Sequence, residues 1–125
     1  MDELDLLLTN ANIVNTEEIF RGVIGIRGEK ISLIAGSEEG FTAKKIIDLG
    51  GNYVLPGVID PHVHFQDPGF TEREDFEHGT MAAAAGGVTT TLSHPLDFPP
   101  TTSFEAVMVK DAAYLGKAYV DYGLH

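Results

Sequence analysis

The chain has 125 residues, 43% of them apolar and 22% charged, with a formal net charge of -11 from 19 acidic and 8 basic side chains. That supplies a real hydrophobic core, is too apolar for disorder, and presents a surface that repels phosphate backbones and anionic lipid, so nucleic acid and membrane are set aside as partners. With no cysteine, disulfides, thiolate metal sites and cysteine nucleophiles are excluded, and any metal must be held by nitrogen and oxygen.

The chain opens with Met1, Asp2 and Glu3, acidic where a secretory leader is basic, and no apolar run is long enough to span a bilayer. A cytoplasmic protein is the expectation. Short β-type runs fill the first part: residues 4–9, 12–14, 20–26, 31–35 and 46–49 read as strands. Residues 28–30 read as a hairpin turn and 36–40 as a polar loop, which together predict an antiparallel sheet or half of a sandwich over residues 1–55.

The pattern changes at Pro56-Gly57 to strand, helix, strand, helix, strand over residues 56–125. Residues 58–64 read as a strand and 65–70 as a loop. A helix is predicted from Thr71, which stands three residues before Glu74 as in a capping box, with Glu72, Glu74 and Asp75 at the positive end of the dipole. Gly86-Gly87 stops it, and the alanines before them suit close packing of helix on sheet. The β-branched residues 88–92 predict a buried strand. A proline-rich loop (95–102) leads to a second helix over 104–116, with Phe104, Val107, Met108 and Tyr114 available for packing, and then a strand over 117–122. Such alternation implies βαβ units and a parallel sheet or barrel. An eight-stranded barrel needs at least about 200 residues, so the fold class expected is α/β, the start of a (β/α)8 barrel preceded by sandwich strands, and incomplete within this chain.

The strongest chemical signal is His62-Val63-His64. Residues two apart on a strand share a face, so both imidazoles project side by side and can reach one metal ion. Zinc takes imidazole nitrogen at about 2.0–2.1 Å. The pair also ends its strand, where barrel enzymes build their sites, and Asp60 on the same face offers a supporting acceptor. By itself H-x-H fits packed, hydrogen-bonded histidines as well as a metal pair. Pro61 is in tension with an interior strand because it removes a ladder donor; a late start or a bulge would absorb it.

The order Pro56-Gly57-Val58-Ile59-Asp60-Pro61-His62-Val63-His64, then Asp67-Pro68-Gly69, Glu74-Asp75-Phe76, residues 82–90 and Pro99-Pro100-Thr101-Thr102 resembles the cyclic amidohydrolases: allantoinases, dihydroorotases and hydantoinases. The resemblance runs across almost the whole chain, and the first part is similar to the small sandwich these enzymes place before their barrel. It implies that His62 and His64 are ligands of one of two zinc ions, and that metal-activated water attacks a cyclic amide carbonyl. It also implies a carboxylated lysine, two more histidines and an aspartate from later strands, none of which can be located here. Lys117 comes too early for that lysine, so the 125 residues alone are expected to be inactive. Relatives of this kind are commonly homo-oligomers.

The loops bear on substrate. Dihydroorotases carry an arginine after H-x-H-x, where this chain has Gln66, a neutral side chain better suited to a small neutral ureide or other cyclic amide than to a carboxylate. Pro95-Leu96-Asp97 replaces the proline-asparagine-threonine of dihydroorotases and is closer to allantoinases, which makes Asp97 a second candidate substrate contact. The end, Val120 to His125, has hydantoinase character. The order of preference is therefore allantoinase, hydantoinase, dihydroorotase. A non-catalytic barrel relative and a cupin-like metal domain are the competing classes; the two retained histidines argue against the first and the predicted helix against the second. His78 reads as an exposed or packing helix residue; His94, at the end of the second strand, could face the mouth of the site, with a structural role preferred; and His125 is left unassigned.

Overall fold

The computed structural model describes residues 3–125, and the chain divides between Pro56 and Gly57. In the first unit β1 (Leu4–Val14) is the central strand. β2 (Ile19–Arg27) pairs with it antiparallel, and β3 (Lys30–Ala35) follows through a two-residue turn in which Gly28 takes φ 56°. On the other side, β4 (Ala43–Asp48) runs parallel to the first half of β1 and β5 (Tyr53–Val54) parallel to the second. The expected antiparallel sheet is therefore mixed. Local turn signals mark where a strand ends; they do not say that residues 36–42 carry the chain past β2 and β1 to the far edge.

The gap predicted between residues 9 and 12 is a bulge rather than a turn. Leu8 pairs with Ile24 and Ala11 with Gly22, so β1 carries one extra residue there. Asn10 absorbs it at φ 57°, a left-handed conformation that asparagine tolerates better than most residues. Two apolar clusters result, one around Leu4, Leu7 and Val23, the other around Ala11, Ile13 and Ile24. Adjacent Val23 and Ile24 feed different clusters, as alternation along a strand requires.

The second unit is a parallel sheet in the order β6-β7-β8. β6 is Val58–Val63, β7 is Val88–Ser93 and β8 is Asp121–Leu124; α1 (Phe76–Ala85) and α2 (Phe104–Tyr114) make the crossovers. β8 begins later than the predicted strand, since residues 117–120 still belong to the approach. Pro61 sits where the β6 ladder is irregular, between Asp60 and Val63, which is how the strand accommodates it.

α1 starts later than its sequence signals suggest. The Gln66 N–H donates to the Glu74 carbonyl (3.0 Å), tying residue 74 into the loop, and Asp75 caps the helix by accepting from the His78 N–H at 2.8 Å. Phe76, Gly79, Thr80 and Ala83 form the inward stripe at helical spacing, while Ala82, Ala84 and Ala85 are exposed. Gly79 rather than the alanines permits close packing: a Cβ there would meet Phe65 at 2.4 Å. α2 likewise packs through Tyr114 and the wholly buried Lys110, with Phe104 and Met108 exposed. The core is aromatic. Phe76 and Tyr114 stack at 3.6 Å, and Phe65 and Tyr122 meet Phe76 edge-on. Among the described residues no helix is long and apolar enough to cross a membrane.

Candidate metal centre

Parallel register places three histidines level with one another. Val63 pairs with Ser93, and Ser93 with Leu124, so the residues that follow, His64, His94 and His125, each stand just past the C-terminal end of a strand. The backbone ladder continues through them: His94 N–H donates to Val63 O (2.9 Å) and His125 N–H to Ser93 O (3.0 Å). His62, one position before the end of β6, completes the group.

Within it His62 and His64 converge, their Nε2 atoms 3.0 Å apart. Two imidazoles on a tetrahedral zinc would hold these atoms about 3.3 Å apart, so a small opening of the pair accommodates one ion. The donor chemistry fits as well, being two nitrogen ligands in a chain without thiols. His64 Nδ1 is buried and has no hydrogen-bond partner among the described residues, leaving it open to an outer acceptor of the kind metal-bound histidines use. No group of three or more candidate ligands forms among the described residues.

Asp60 does not reach an imidazole. Its Oδ1 accepts from the His62 backbone N–H at 3.0 Å, so it shapes the irregular turn of β6 that presents the ligand. Together with His64, Glu74 and Thr91 it lines a cavity of about 310 Å³ whose remaining walls are Val63, Phe65, Gly79, Ala83 and Val88. Gln66 is half-buried, with its amide at the long limit of contact (3.5 Å) from His64 O. Asp97, read from sequence as a substrate contact, is instead 5% exposed and paired with Lys110 at 2.5 Å. Lys110 also donates to the His94 carbonyl at 2.9 Å. That carboxylate is committed to the interior because a wholly buried ammonium requires a counter-charge.

Of the two readings of His94, the structure favours the one at the mouth of the site, and His125, unassigned from sequence, lies against it. The His94 ring stacks on His62 at 3.8 Å and 17°, lies 5.5 Å from His64 and 4.4 Å from His125. Burial, followed by the neighbouring His62, His125 and His64, holds His94 below the ordinary imidazole pKa. The signal available in the sequence was a histidine at, or within three residues of, the end of each predicted strand. His78 lies apart and exposed, its Nδ1 2.8 Å from Asp75, whose hydrogen bond raises its pKa.

Residues 53–114 match the amidohydrolase family. Over 124 residues the chain is 43% identical to an allantoinase of Deinococcus radiodurans, a match covering 97% of this chain and 27% of that protein. It is 45% identical over 102 residues to a dihydroorotase of Methanothermobacter thermautotrophicus, covering 82% and 23%. The solved L-hydantoinase of Arthrobacter aurescens superposes with a TM-score of 0.90 at 34% identity, covering 97% of this chain and 27% of that one. The chain thus spans about a quarter of the length of these relatives.

Proposed function

Residues 53–114 belong to the amidohydrolase family, and from that premise we propose that the whole protein is a zinc-dependent cyclic amidohydrolase in which His62 and His64 supply two metal ligands. The observation that carries this reading is the 3.0 Å convergence of their Nε2 atoms at the end of β6. When bound, the cation supplies Lewis acidity, lowering the pKa of water and polarising the amide carbonyl. The chain's own part is to hold the ligands. Asp60 fixes the His62 backbone, and the register of β6 with β7 brings His94 beside the pair. Further ligands and the general base belong to parts of a (β/α)8 barrel beyond these strands, with residues 1–55 as its accompanying sandwich strands. A homo-oligomer in the cytoplasm completes the proposal.

The substrate proposed is a small neutral ureide ring, allantoin in preference to a hydantoin or dihydroorotate. Gln66 supports a neutral ring over dihydroorotate, because it brings no positive charge to the loop after the histidines. Identities of 43% to an allantoinase and 45% to a dihydroorotase do not separate the two by similarity, so the assay must. The test is hydrolysis of allantoin, hydantoin and dihydroorotate by the whole protein, as purified, after chelation, and after return of zinc. Allantoin cleavage that disappears with the metal and comes back with zinc is expected. Cleavage indifferent to chelation, or none of the three rings opened by metal-loaded protein, would overturn the proposal.

A further inference from the structure

The histidine group contains more order than two ligands require. The His94 backbone is held at two points: its N–H donates to Val63 O and its carbonyl accepts from the buried Lys110. Lys110 is in turn fixed by Asp97, which also accepts from the Thr101 hydroxyl. An imidazole carried on this fixed backbone lies face-on against His62 at 3.8 Å. His62 itself is exposed and stands in the irregular part of β6, where the strand alone does little to fix its ring plane.

We infer that His94 is a positioning residue: its ring, carried on an anchored backbone, stacks on His62 and sets the plane in which the His62 Nε2 meets that of His64. Face-on contact restricts rotation about the His62 side-chain torsions, and a ligand held near its bound rotamer loses less entropy when the ion arrives. Two rings stacked 17° from parallel present faces to each other rather than converging nitrogens, which assigns His94 the supporting role. The inference rests on the metal reading of His62 and His64 and adds to it the reason why that pair is preorganised.

The test is cobalt(II) binding to the whole metal-free protein, followed by competition with a chelator and by the visible absorption of the bound ion. Wild type is compared with His94→Ala, His94→Phe and His62→Ala. Removing an outer-sphere partner of a metal ligand typically costs 10–100-fold in affinity, and His94→Ala should show a loss in that range with an altered cobalt spectrum. His94→Phe keeps a flat ring against His62 and should recover most of the affinity and the wild-type band. Wild-type affinity in His94→Ala, with loss only in His62→Ala, would overturn the positioning role while leaving the metal reading standing. His94→Phe as weak as His94→Ala would also overturn it, by pointing to the ring nitrogen as a ligand. No cobalt uptake by wild type would remove the metal reading and this inference together.

Discussion

The two units treat buried polar groups differently. In the first, Thr9 is the one buried polar side chain among the described residues; around it the bulge at Asn10 and the crossover to β4 serve to close a sheet. In the second, Asp67, Thr80, Thr91, Ser93, Asp97, Thr101 and Lys110 are all buried, and every orphaned buried polar side-chain atom among the described residues lies there: His64 Nδ1, Thr91 Oγ1 and Asp97 Oδ1. Unmet hydrogen-bonding capacity is costly. Its concentration beside the strand ends marks the second unit as the part built for chemistry and the first as the part built for shape.

The largest expected effects come from the second unit's interior. Replacing Lys110 by Met leaves Asp97 buried without its partner and should cost about 3–5 kcal/mol, measured by denaturant unfolding of the whole protein. Lys110→Met with Asp97→Leu should recover much of that loss, because an apolar pair of similar volume replaces a buried ion pair at little cost. A single mutant as stable as wild type would break the contrast between the units. Phe76→Ala, which removes the ring stacked on Tyr114, should cost a similar amount, about 3–5 kcal/mol.

A smaller effect tests the first unit. Asn10→Val places a β-branched residue at φ 57° and should cost roughly 1–2 kcal/mol, whereas Asn10→Gly should be close to neutral. Neither change should alter metal content. The smallest effect concerns the start of α1. Asp75 raises the pKa of His78, so this pair contributes stability below the unfolded imidazole value of about 6.5 and loses it as pH rises through the higher folded value. NMR titration should place the His78 midpoint above the ordinary value in wild type and back at it in Asp75→Ala. Thr71→Ala should leave it unmoved, since Thr71 is not the cap.

Much of this was legible in the sequence, and the failures have physical causes. The H-x-H pair could be placed because side-chain alternation on a strand is a local rule, and Pro61 announced the irregularity that the ladder shows. Thr71 and Glu74 satisfied an equally local rule, but the Gln66 N–H tied Glu74 into the loop and the cap passed to Asp75. His94 could only be weighed as facing the site, and His125 not assigned at all, because only the pairing of β6 with β7 and of β7 with β8 brings them to His62. Asp97 was misread for a related reason. A lysine on a predicted helix ordinarily faces water, and nothing local shows Lys110 turned inward to claim that carboxylate.

The most direct test of the central claim is elemental analysis of the whole protein, as wild type and as His62→Ala/His64→Ala. Bound zinc in the wild type that falls in the double mutant, with the fold retained by circular dichroism, is the result expected. Equal metal in both proteins, or none in the wild type after zinc has been supplied, would contradict it.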